Sequence, residues 1–146
     1  MIPDLDDTGF LPPGVHVATL EEIEARFGAS AHRQHLFRGF RTAAESLRRA
    51  GCTAMYLDGS FVTEKDLPAD FDGCWDMEGV DPDLLDPALL DFENGRAAQK
   101  IRFGGELFPA SYAETSSEKT FLEFFQTDKE TGAPKGIVKI ELQRVQ

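Results

Sequence analysis

Residues 52–76 read CTAMYLDGSFVTEKDLPADFDGCWD. The run Cys52–Leu57 is apolar and six residues long, the length of a buried strand rather than a helix. It breaks at Asp58-Gly59-Ser60, where glycine permits a tight turn. A polar segment with Thr63 and Lys65 follows, Pro68 resets the chain, and Asp70-Phe71-Asp72 opens a second extended run. Alternation along a strand puts Asp70 and Asp72 on one face and Phe71 on the other, toward a core.

The stretches on either side set the fold class. Upstream, residues 1–14 are acidic and end in LPPG, which disfavours regular structure. Thr19 and Glu22 have the spacing of a capping box for a helix over 20–27, closed by Gly28. Ser30 caps a second helix whose Leu36, Phe40, Ala43, Leu47 and Ala50 recur at steps of four and three, an apolar stripe that ends at Gly51. Arg33, Arg38, Arg41, Arg48 and Arg49 fall largely off that stripe and read as a solvated surface. His32 and His35 lie three apart on the same helix, a spacing able to share a metal, although a surface role is the plainer reading.

Downstream, residues 78–88 are acidic and proline-rich. Asp86-Pro87 can start a helix running to about Phe103, with Gly95 a weak point and Gly104-Gly105 its stop. ELFPA (106–110) reads as a short strand and 111–119 as a loop. TFLEFFQ (120–126) and GIVKIELQ (136–143) both read as strands, joined by the turn-rich TDKETGAPK into an antiparallel pair. The expected architecture is α/β (α+β): a single domain, 1–146, with a mixed, partly antiparallel sheet of four to five strands and helices mainly on one face.

Composition narrows the function. The chain has 146 residues with 15 Lys+Arg against 26 Asp+Glu, a formal charge of −11, which repels an extended nucleic acid. Twelve Phe argue for a real core. No apolar run approaches a membrane span, and the acidic N-terminus does not resemble a signal peptide. Two cysteines, Cys52 and Cys74, cannot build a disulfide framework, and two reduced, buried thiols point to a cytoplasmic protein.

The chemistry lies in the quoted stretch. A glycine after a strand lets a phosphate approach without a side chain in the way. With a short helix over 61–66, Ser60 would be its N-cap, and the free N–H groups would face an anion. The hydroxyls of Ser60 and Thr63 and the ammonium of Lys65 add donors. Asp70 and Asp72 repel each other unless a cation sits between them, and Mg²⁺ or Mn²⁺ suits oxygen ligands shared with phosphates. A phosphate cradle beside a carboxylate pair equips a site for phosphoryl or nucleotidyl transfer. Trp75 reads as a core or pocket-wall residue, Asp76 as a further acid or an exposed one, and Arg96, Lys100 and Arg102 as a solvated helix face able to meet a nucleotide.

The frame Leu57-Asp58-Gly59-Ser60, nine residues, then Asp70-Phe71-Asp72 resembles the signature of the polymerase-beta-like nucleotidyltransferase superfamily, in which G-[GS] precedes an acid, an apolar residue and a second acid. The longer string DGSFVTEKDLPADFD, with GFLPPGVH before it and FFQTD and KGIV after it, looks like a small bacterial branch of that superfamily. Gly73 stands where the pattern usually has an apolar residue. The resemblance implies a nucleotidyltransferase-like fold in which Gly59 and Ser60 contact nucleotide phosphates and Asp70 and Asp72 hold Mg²⁺ or Mn²⁺. It also implies a third acid from a neighbouring strand, for which Glu106 is the candidate and Glu123 and Glu141 the alternatives.

The expected activity is transfer of an NMP from an NTP to a protein or small-molecule hydroxyl. The alternative is a non-catalytic module of the same fold that binds a nucleotide or a protein partner, such as a toxin–antitoxin component. A third reading is a plain interaction protein.

Overall fold

The computed structural model describes residues 2–144. Strand β2 (Ala54–Asp58) is buried along its whole length and stands in the middle of a five-stranded mixed sheet of order β1-β5-β2-β3-β4. It runs antiparallel to β3 (Phe71–Trp75), with Leu57 opposite Gly73 and Asp58 opposite Asp72, and antiparallel to β5 (Gly136–Glu141). The edges are parallel additions: β1 (Gly14–Val17) on β5 and β4 (Gly105–Pro109) on β3.

The period-two pattern of the strands divides the sheet into two unlike faces. One face sends Met55, Leu57, Phe71, Trp75, Leu107, Val138 and Ile140 into the main core. Helices α1 (Leu20–Phe27), α2 (Ala31–Arg49) and α3 (Glu93–Phe103) meet it with Ile23, Phe37, Phe40, Leu47 and Phe103. Phe40 sets its ring edge-on to Phe71 at 5.3 Å, and each such fully buried side chain stabilises the fold by roughly 1.5–3 kcal/mol. The other face carries Ala54, Tyr56, Cys74 and Ile137 and has a smaller cover, a cluster of Phe108, Phe121, Phe124 and Phe125 around the short helix α4 (Phe121–Phe125). The helices are thus mainly on one face. Edge strand β4 is protected where Gln99 of α3 accepts a hydrogen bond from the Leu107 amide at 2.7 Å.

The first two helices start as their capping residues dictate. Thr19 and Glu22 form the capping box of α1, and the Ser30 side chain accepts the Arg33 amide at the start of α2. Four local expectations are corrected.

Residues 120–126 form not a strand but α4, and so no antiparallel pair with β5. Thr120 and Glu123 build a second capping box, and Phe121, Phe124 and Phe125, at helical spacing, all reach one cluster. The place beside β5 is taken by β1, which follows the LPPG break. The segment after Gly59 is a 3-10 turn, Ser60–Val62, rather than a helix over 61–66, and Gly59 rather than Ser60 is its cap. The helix expected from Pro87 is split into a 3-10 turn, Pro87–Leu90, and α3. Asn94, Gly95 and Arg96 sit at left-handed φ values of 52°, 65° and 63°, which breaks the helix at the weak point.

Among the described residues no helix is long and apolar enough to cross a membrane.

Gly73 has a steric reason to lack a side chain. A Cβ there would fall 2.2 Å from the Tyr56 carbonyl oxygen on the neighbouring strand. Gly73→Ala is expected to force β2 and β3 apart and lower unfolding stability by about 2 kcal/mol, within the usual cost of overpacking. Denaturant titration checks this, and a loss below about 0.5 kcal/mol would show that the strands move aside freely.

Candidate functional site

The sheet register collects the acids. Asp58, Asp72 and Glu106 are partners across β2, β3 and β4, so their side chains leave the same face in one row, and Asp70 lies two residues before Asp72 on that side. This is the thinly covered face, beyond the end of the α4 cluster. One carboxylate oxygen each from Asp70, Asp72 and Glu106 lies within 4.8 Å of the others. Glu106 is therefore the acid brought to the pair. Glu123 is exposed and spent in the α4 capping box, and Glu141 lies at the far end of β5, in register with Ala54.

The Gly59 turn meets the same acids. Gly59 has φ +87°, and a Cβ there would lie 2.8 Å from Asp72 Oδ2, so both the backbone conformation and the close approach require glycine. Gly59, Ser60, Thr63 and Asp72 line a cleft of about 690 Å³ together with Phe10, Phe124, Lys129, Lys135 and the acids Asp6, Asp58, Asp128 and Glu130. That volume suits a nucleotide-sized ligand. The Thr63 hydroxyl is engaged with the Ser60 carbonyl at 2.6 Å. Lys65 does not line the cleft; it lies on the groove toward α1, although its charge reaches Asp70.

Four cations answer this row. Lys135 pairs with the buried Asp58 at 3.2 Å and lies 5.2 Å from the centre of the Phe10 ring. Burial pushes the Asp58 carboxyl up, and Lys135 opposes it. Arg96 donates to Glu106 Oε1 through Nε at 3.1 Å and Nη2 at 2.9 Å, and Lys100 reaches the same oxygen at 3.3 Å. Burial works against the Glu106 carboxylate, but these two cations outweigh it and hold it below its ordinary value. Lys129 acts at longer range on Asp58, Asp70 and Asp72. Asp70 is raised by burial and by the charge of Glu106. Asp72 is pushed up to about 7, first by burial and then by Asp70, Glu106 and Asp58. Three converging carboxylate oxygens are a donor set that could hold a hard divalent ion.

Sequence reasoning missed Asp58, Lys129, Lys135 and the pairing of Arg96 and Lys100 with Glu106. Asp58 was readable in principle as the last residue of a buried strand, whereas the lysines are brought in by a loop whose path the sequence leaves open. Other candidates lie elsewhere. Asp76 accepts a long hydrogen bond of 3.5 Å from Tyr56 on a separate concavity. Arg102 pairs with Asp86. His32 Nε2 lies 2.5 Å from the Pro68 carbonyl oxygen and His35 is exposed, so the two do not form a metal pair. Cys52 and Cys74 are buried free thiols, and Trp75 is in the core.

Two measurements probe the electrostatics. Asp72 has a folded-state pKa above its ordinary 3.8, so its contribution to stability is complete below about pH 4 and is lost as pH rises through about 7. At about 1.4 kcal/mol per unit, the metal-free protein loses on the order of 2–4 kcal/mol over that interval. Asp72→Asn is expected to flatten the dependence and to raise Tm at pH 8; an unchanged or lower Tm there refutes the strain. Lys135→Met leaves a buried charge alone and is expected to cost about 3 kcal/mol. The Asp58→Asn/Lys135→Met pair is expected to recover at least half of that in the same melts.

No curated protein and no solved structure matches the chain. A family model matches residues 3–141, nearly the full length and every element of the sheet. On that match the chain belongs to the family of unknown function DUF6932.

Proposed function

We propose that the protein is a metal-dependent nucleotidyltransferase of the polymerase-beta-like kind, moving an NMP from an NTP to a hydroxyl of a protein or small molecule. The observation that carries this reading is the convergence of Asp70, Asp72 and Glu106, with Asp72 also lining, together with Gly59 and Ser60, a nucleotide-sized cleft. Mg²⁺ or Mn²⁺, held by Asp70 and Asp72 with Glu106 as the third carboxylate, would supply charge neutralisation at the triphosphate and at the attacking oxygen. The chain's own groups do the rest. Gly59 lets the turn close against Asp72, and Ser60 adds a hydroxyl donor. Lys129 and Lys135 line the same cleft and would add positive charge there, Lys135 while paired with Asp58. Phe10 and Phe124 give it apolar wall area. The acceptor oxygen bonds to the α-phosphorus as the bond to pyrophosphate breaks.

The formal charge of −11 favours a compact acceptor over an extended nucleic acid. The setting we propose is the cytoplasm, where Cys52 and Cys74 stay thiols.

A second reading is favoured by one observation: Arg96 and Lys100 already neutralise Glu106. If they hold it away from a metal, the domain binds nucleotide without transferring it, as a partner-neutralising module would.

Incubation with each labelled NTP, Mg²⁺ or Mn²⁺ and cell lysate separates the two. The enzyme transfers label, and the Asp70→Asn/Asp72→Asn variant loses at least roughly a hundredfold of it, the scale of removing charge stabilisation at a transition state. Tight nucleotide binding without transfer selects the module. Neither binding nor transfer discards both.

A further inference from the structure

The cations described above face the acids; Arg33 faces the backbone. It lies on α2, where a helix-surface residue is expected from the sequence, yet it is only 7% exposed. Its Nη1 donates to the carbonyls of Phe27 at 3.1 Å and Phe61 at 2.7 Å, and its Nη2 to those of Thr63 at 2.8 Å and Lys65 at 2.6 Å. The guanidinium carbon is also 5.5 Å from the centre of the Phe61 ring. Buried guanidinium groups ordinarily take carboxylate partners. This one takes main-chain carbonyls, three of them from the segment that follows Gly59-Ser60.

We infer that Arg33 is the positioning residue of the phosphate-binding turn. By drawing the carbonyls of Phe61, Thr63 and Lys65 onto α2, it turns the negative ends of those peptides away from the cleft and sets a positive charge behind the wall that an anion meets. The inference rests on the nucleotide reading above and adds the residue that makes its turn fit for phosphate.

Three features support it. A turn that receives an anion must present N–H groups and keep carbonyl oxygens clear; those oxygens are held by Arg33. Thr63 lines both the cleft and the groove on the Arg33 side, so the segment is a single chain thick, and a charge behind it is weakly screened in front. The 3-10 hydrogen bonds, Val62 to Gly59 and Thr63 to Ser60 at 3.2 Å each, stop where Arg33 takes over the carbonyls. The clamp therefore explains why the segment does not continue into a helix. Asp66, whose charge also reaches Arg33, is exposed, and water screens it.

The test compares the wild type with Arg33→Lys and Arg33→Met, each titrated with Mg²⁺ alone and with Mg²⁺ plus inorganic tripolyphosphate, well below its Tm. Arg33→Met is expected to bind tripolyphosphate at least about tenfold more weakly, a change of 1.4 kcal/mol, while Mg²⁺ affinity stays within twofold. Amide exchange is expected to quicken over residues 59–66 and not in β2 or β3. Arg33→Lys, which keeps the charge but reaches fewer carbonyls, should fall between the two and carries the test if the methionine variant does not fold. A purely structural arginine would lower Tm and leave the affinity of the folded molecule unchanged. That result, or equal loss of Mg²⁺ and tripolyphosphate binding, overturns the inference. Failure of the wild type itself to bind tripolyphosphate with Mg²⁺ removes the nucleotide reading and the inference with it.

Discussion

Mutual repulsion of carboxylates along one sheet row is the constraint that organises this molecule. Register alone places Asp58, Asp72 and Glu106 side by side, with Asp70 one step along. Like charges directly opposite across strands destabilise a sheet, and these are half-buried or buried besides. Cations from two separate parts of the chain, the loop between α4 and β5 and the helix α3, offset them. Lys135 comes from the loop before β5, Arg96 and Lys100 from α3, and Lys129 from the turn after α4. The compensation is uneven. Asp58 and Glu106 have ion-pair partners, whereas Asp72, in the middle of the row, has none of its own and is raised to about 7 by burial and by its acidic neighbours. Raised carboxyl groups clustered in this way are a feature that functional sites share.

The sheet's two faces show how one small domain tolerates such a site. The face toward α1, α2 and α3 is a continuous apolar core in which Phe37, Phe40, Phe61, Phe71 and Leu107 are fully buried. The opposite face is covered by the four-phenylalanine cluster around α4 over part of its area, and the acids occupy the rest. Phe108 stacks on Phe121 at 4.1 Å in that cluster, and Arg96 lies 5.6 Å from the centre of the same Phe108 ring. The aromatic cover thus abuts the charged site, and Arg96 touches both. The left-handed stretch Asn94–Arg96 is what lets α3 deliver that side chain to Glu106.

How much of this was legible depended on whether the signal was local. Thr19–Glu22 and Ser30 marked their helices because caps are written within four residues. Asp70 and Asp72 were placed on one face by strand alternation. Glu106 joins that pair through the register of β3 with β4, a pairing between distant segments that no local signal carries. TFLEFFQ misled because aromatic residues favour strands, although Thr120 and Glu123 carried the same capping-box signal that was read correctly at Thr19. Arg33 misled because its position off the apolar stripe described the helix alone. Its partners at Phe61, Thr63 and Lys65 are about 30 residues away and are main-chain atoms, which have no signature in the sequence.

Charge accounting ties the cleft to these long-range contacts. Ionised, Asp58, Asp70, Asp72 and Glu106 bring four negative charges, and Lys135, Arg96 and Lys100 return three, so the row carries one net negative charge. A single divalent ion would leave it one positive. That surplus, with Lys129 lining the cleft and Arg33 behind the turn, would favour an anion only once the metal is present, and it would act against Asp6, Asp128 and Glu130, which line the same cleft. Without the ion, the acids at the rim repel a phosphate. Ordered binding, metal first or metal and polyphosphate together, is then a consequence of where the charges sit rather than of any motion of the chain.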